Sequence, residues 1–118
     1  MAEQHDYGVY LCYVGYHDGT GGKERPVVIF DDLVGELLAF EVLGVYSYKK
    51  KFERKKYRRK LYEIKDIDSA GLTHRSFIDV SISYEVSFKD LFHAKTLGVL
   101  SLDDIVGLIN KYNEYQPE

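Results

Sequence analysis

The sequence predicts a mainly-β fold, a small and strongly bent antiparallel barrel with one C-terminal helix. Three observations carry that prediction. Short runs rich in Val, Ile, Leu, Phe and Tyr recur along the chain, separated by Gly-, Asp- and Pro-containing turns. The clearest run, Ser76 to Val86, alternates residue by residue. Phe77, Asp79, Ser81, Ser83 and Glu85 share one face, and Ile78, Val80, Ile82, Tyr84 and Val86 the other, which is the pattern of a half-buried strand. Helical spacing with a proper cap appears at the end, where Ser101 precedes Asp103 and Asp104 and then Ile105, Leu108, Ile109 and Tyr112. With 118 residues and no repeat or linker, the chain reads as one domain, 1–118.

The remaining elements follow in order. Residues 7–16, YGVYLCYVGY, read as a strand, because Val and Tyr dominate and two glycines interrupt any helix. HDGTGGKERP, with three glycines and a proline in ten residues, reads as a loop, and PVVIF as a short buried strand. Asp31 to Gly35 is expected to turn, and Leu37 to Tyr48 to form a strand with Gly44 at a bulge. The stretch 49–60 is expected to be an exposed hairpin arm or loop, with Leu61, Tyr62 and Ile64 returning as a strand. Asp68 to Gly71 forms a turn, Ser87 to His93 a helical turn, and Thr96 to Leu100 a brief strand. That makes five to seven strands.

Composition excludes several classes. At 45% hydrophobic and 30% charged residues, the chain is globular rather than disordered. Its apolar runs are strand-sized, and Met1 to Asp6 is polar and acidic, unlike a secretory signal, so a cytoplasmic protein with no membrane association is expected. Cys12 is the single cysteine, which rules out an internal disulfide or a Cys-based zinc site, and its apolar setting suits a small core residue. The four histidines show no short metal-binding spacing, and neither a metal nor another cofactor is expected.

Charge is unevenly spread. The formal net charge is −3, yet residues 49–60, KKKFERKKYRRK, hold nine of the 16 Lys and Arg against one acid. That is +8 locally, and −11 over the other 106 residues. Such a block suits a polyanion, with Phe52 and Tyr57 available to stack on bases. An acidic protein segment, or plain solvation of a loop, would satisfy the same charges. Lys49, Lys50, Lys51, Arg54, Lys55, Lys56, Arg58 and Arg59 are the candidate phosphate contacts.

Three stretches carry a family likeness: DGTGGKERPVVIF at 18–30, AGLTHRSFIDV at 70–80, and TLGVLSLDDIVGLINKY at 96–112. In their order and spacing they resemble the MazF/PemK-like toxins of type II toxin–antitoxin modules. The resemblance implies an SH3-like, plasmid-maintenance-toxin-like barrel, a homodimer, and metal-independent, sequence-selective cleavage of single-stranded RNA. It also implies a cognate antitoxin whose acidic segment occupies the RNA groove. Arg25 falls on the family's Arg-Pro position, and Ser47 is the best match to its second catalytic position, a Thr or Ser late in the next strand.

The residues suit that chemistry. RNA is cut without metal when its own 2′-hydroxyl attacks the adjacent phosphorus. Arg25 brings a permanent charge and a planar fork that matches phosphate oxygens. Gly21 and Gly22, next to Lys23, let backbone N–H groups approach a phosphate, and Ser47 offers an oriented hydroxyl. Either His17 or His74 titrates in the range useful for proton transfer. Ser76 and Arg75 are weaker candidates for substrate contacts, since Ser76 also suits the start of a strand. Arg25 would otherwise be an exposed residue paired with Glu24 or Asp18. Tyr16, Tyr46 and Tyr48 stand near enough in sequence to stack on bases. Two other classes fit the same chain: a non-catalytic nucleic-acid-binding module, and a toxin that inhibits a protein target such as a topoisomerase.

Overall fold

The computed structural model describes residues 7–15, 19–33 and 39–115, with the backbone alone at 31–33, 39 and 88. Its centre is a six-stranded antiparallel sheet. β1 (Gly8–Gly15) pairs with β2 (Gly22–Leu33), which pairs with β3 (Ala39–Ser47). β3 pairs with β5 (Ser76–Ser87), whose first half also carries the short β4 (Leu61–Glu63). β6 (Lys95–Val99) lies on the outer edge of β1, so the order is β4-β5-β3-β2-β1-β6. The fold is therefore mainly β, as expected, in the form of an open sheet compatible with a barrel. The gap between its edges is spanned by the loop after β4, where Val99 N–H donates to the Ser69 carbonyl (3.0 Å) and Ser69 Oγ donates to the Val99 carbonyl (2.7 Å). Only glycine fits at this crossing: a Cβ on Gly98 would stand 2.3 Å from the Ser69 carbonyl oxygen.

Burial on both faces explains the apolar runs. Val27, Val28 and Ile29 are all fully buried, because β2 is central and the sheet curls around two cores. On one face, Val9, Val28, Leu43 and Ile78 pack with Leu108 of α3 (Leu102–Tyr115). On the other, Cys12, Val27, Ile29 and Val42 pack with Leu91 of α2 (Phe88–Phe92). Burial, reinforced by Asp90 and Glu24, pushes the Cys12 thiol up, so it behaves as the expected core residue. The Ser101 hydroxyl accepts from the Asp104 N–H (3.1 Å) and caps α3 as the sequence indicates.

Several local expectations are corrected. Gly22 to Pro26 belong to β2, not to a loop, since Lys23, Glu24 and Arg25 pair with Val14, Tyr13 and Cys12. The glycines that bend the chain are Gly19 and Gly21, whose φ values of 79° and 133° other residues rarely adopt. Asp31 to Leu33 continue β2 against Phe40 and Ala39 rather than turning, while 34–38 lie outside the described residues. The basic block is neither a hairpin arm nor an open loop. It folds into a 3₁₀ turn at Lys50–Glu53 and the single helical turn α1 (Lys55–Arg58), anchored by Phe52 between Leu61 and Phe77. Nor is β5 half-buried throughout: Ser76 to Val80 are buried on both faces.

Gly44 does stand at a bulge. Across it, the partner of β3 on β5 jumps from Ser83 (opposite Leu43) to Ile78 (opposite Val45), which bends β5 sharply.

Candidate nucleic-acid interface

The site is built by register. Arg25 sits on β2 opposite Cys12, and its guanidinium lies over the Tyr46 ring of β3, 4.1 Å from the centroid. That cation–π contact holds the guanidinium against the Tyr46 ring. One residue further along β3, Ser47 pairs with Ser76 at the start of β5, which brings in the loop carrying Thr73 and His74. These elements enclose a cavity of about 450 Å³ lined by Lys23, Arg25, Tyr46, Ser47, Lys49, Thr73, His74 and Ser76, among others. Residues scattered over 50 positions thus meet in one place.

Each side chain has a defined state. Among the described residues no ion pair with Glu24 holds Arg25, and Asp18 lies outside them. The Tyr46 hydroxyl is pushed well above its ordinary pKa by burial and by its hydrogen bond with Tyr84, against a smaller opposing pull from Arg25. It therefore stays protonated. His74 Nδ1 lies 2.9 Å from Thr73 Oγ1, a contact that restrains the ring at the cavity wall. Ser47 is exposed, whereas Ser76 is buried and donates to the His74 carbonyl (2.7 Å). Ser76 thus shapes the loop rather than reaching for substrate.

Other candidates lie elsewhere. Gly21 and Gly22 do not line this cavity, and His17 and Tyr16 lie outside the described residues. Arg75 forms a two-pronged ion pair with Glu63 (2.6 and 3.2 Å) and stacks on Tyr48, so it is committed to structure. The Tyr48 hydroxyl donates to Glu53. The basic block divides. Lys49 and Lys51 face the Arg25 side, while Lys55, Arg58 and Arg59 line a separate groove with Lys111 and Tyr115. Lys50 and Arg54 lie with Tyr48 and Glu53 on a further surface. Lys56 Nζ stands 5.4 Å from the Tyr57 ring centroid.

Sequence reasoning missed four participants. Thr73 escaped because nothing in GLTHRS marks it as the partner of His74. Glu24 was read only as a possible ion-pair partner, yet it lines the cavity. Lys60 and Asp79 line a second, smaller cavity that shares Arg25, Tyr46 and Lys49 with the first. Their meeting depends on β4 pairing with β5, which no local pattern reveals.

The arrangement has the chemistry to accept a phosphate. The Arg25 guanidinium, the Lys23 and Lys49 ammonium groups and the Ser47 and Thr73 hydroxyls line one open volume, beside His74. Among the described residues, no group of three or more His, Cys, Asp or Glu is placed to hold a metal ion, and no helix is long and apolar enough to cross a membrane. No protein-family model matches the chain, and no curated protein matches it.

Proposed function

We propose that this protein is an endoribonuclease of the MazF/PemK-like toxin type, cutting single-stranded RNA without a metal. The observation that carries the reading is the shared cavity of Arg25, Ser47 and His74. In the reaction the 2′-hydroxyl loses its proton and attacks the adjacent phosphorus, and the 5′-oxygen leaves with a proton, giving a 2′,3′-cyclic phosphate. Arg25 stabilises the charge that builds on the phosphorane oxygens, and Ser47 donates a hydrogen bond to them. His74 exchanges the proton. The reading extends to a homodimer and to an antitoxin whose acidic segment fills the same cavity.

The deciding experiment incubates the purified protein with a long RNA in excess EDTA and maps the ends. Cleavage at a preferred sequence, leaving a cyclic phosphate and a 5′-hydroxyl, is the expected result. Tight, salt-sensitive binding with no cleavage of any RNA would instead make the chain a non-catalytic binding module. The cations of the block that face away from Arg25 favour that second reading, since chemistry at the cavity has no use for them.

Charge removal distinguishes the faces of the block. Changing Lys49, Lys51 and Lys60 to Ala is expected to weaken RNA binding and to flatten its dependence on salt, by about 0.7 in the log–log slope for each phosphate that is no longer neutralised. On the nuclease reading, changing Lys55, Arg58 and Arg59 is expected to leave the slope nearly intact, whereas a binding module that uses this outer groove would lose slope there as well. Fluorescence anisotropy across a salt series reads both.

A further inference from the structure

The second cavity, about 210 Å³, adjoins the phosphate site through Arg25, Tyr46 and Lys49 and is closed by Tyr57, Lys60 and Asp79. It falls below the ~300 Å³ typical of pockets for drug-sized ligands, which suits a single flat ring system. Its wall is aromatic, and three ammonium groups, from Lys51, Lys56 and Lys60, stand 5.3–5.4 Å from the Tyr57 ring centroid. The one carboxylate lining it is Asp79. Its Oδ1 accepts from the Ser81 N–H (2.8 Å) and Oγ (2.6 Å), satisfying the backbone where β5 bends. Its Oδ2 has only a distant partner among the described residues, Lys60 Nζ at 3.7 Å, and keeps lone pairs for another donor.

We propose that this cavity is a base-recognition subsite, in which Asp79 Oδ2 accepts a hydrogen bond from the exocyclic amine of adenine or cytosine. The proposal rests on the reading of the chain as an RNA-binding protein and adds to it the class of base selected. A nucleotide whose phosphate lies on Arg25 reaches across Tyr46 to place its base beside Tyr57, where stacking replaces the lysine contacts and frees those ammonium groups for phosphates. Carboxylates accept from cytosine N4 in base readout generally. Uracil presents a carbonyl oxygen at that position, and a carboxylate repels it. The bend of β5 holds Asp79 in place through Oδ1, so the acceptor is set before RNA arrives.

The test uses fully 2′-O-methylated oligomers of C, A and U. They lack the attacking hydroxyl and therefore report binding apart from cleavage. The wild-type protein should bind oligo-C and oligo-A about tenfold more tightly than oligo-U. Asp79→Asn keeps an oxygen for the Ser81 N–H and supplies an amide donor, so the preference should shrink to within about twofold while the melting temperature holds. Tyr57→Leu should weaken all three oligomers about tenfold without changing their ranking. Equal ranking in wild type and Asp79→Asn, or no binding of any oligomer, overturns the subsite. Cleavage of unmodified RNA with that same equal ranking overturns the subsite and leaves the nuclease standing. An Asp79-dependent preference without cleavage does the reverse.

Discussion

Arg25→Ala is expected to lower RNA cleavage by a factor of about a thousand while the protein still folds. The side chain is half-buried, with its guanidinium 4.1 Å from the Tyr46 ring centroid, and removing it leaves the apolar cores on either side of β2 untouched. What disappears is the group that meets charge as it develops on phosphorus, and among the described residues no other guanidinium lines the cavity. Arg25→Lys is the sharper variant. Lysine keeps the charge but loses the planar fork and most of the stacking on Tyr46, so a loss of at least about tenfold should remain if bidentate contact matters. Single-turnover rates at saturating enzyme would separate this from weakened binding. Full activity in Arg25→Ala would remove the proposed mechanism.

The same residue shows what the sequence concealed. Three glycines and a proline in ten residues marked 17–26 as a loop, yet the flexible positions end at Gly21 and the strand begins at once. Arg25 therefore owes its position to pairing with Cys12, a partner 13 residues upstream. Local signals served well where one residue decides the outcome, as with the Ser101 cap or the bulge at Gly44. They failed where distant elements cover a surface. Alternation put Asp79 on the polar face of β5, but Lys60 and the helical turns that follow β3 cover that end of the strand. The charge run 49–60 likewise concealed Phe52, whose burial against Leu61 and Phe77 turns a solvated stretch into a folded one. Arg25 and Ser47 were legible through the family resemblance, and His74 as one of two histidines suited to proton transfer, whereas Thr73 and Lys60 required the third dimension.

Asp104→Asn is expected to be the most destabilising conservative change in the chain, by about 3 kcal/mol, or roughly 10 °C in Tm. Read from sequence, Asp104 is an ordinary first-turn acid of a helix. In the fold it is fully buried and accepts from the Tyr62 hydroxyl (2.6 Å), the Lys65 N–H (2.9 Å), the Asp66 N–H (3.0 Å) and Ser101 Oγ (3.1 Å). One carboxylate thereby ties α3 to the strand and loop that approach the edge of β6. An asparagine would point its NH₂ at a donor and leave that donor unsatisfied. Burial alone would raise the Asp104 pKa, but the hydrogen bonds from Tyr62, Lys65, Asp66 and Ser101 outweigh it and the net direction is down. The unfolded chain then binds the proton more readily than the folded one. The stabilisation is complete above the unfolded value near ~3.9 and is lost as pH falls through the folded value. Tyr62 provides the opposite limb: burial, and then its bond to Asp104, raise its pKa, so its share is present below pH ~10 and is lost as pH rises beyond that. Urea melts from pH 2 to pH 7 should therefore show wild type and Asp104→Asn converging in acid. A gap that stayed constant down to pH 2 would mean that the carboxylate's charge contributes nothing to the junction.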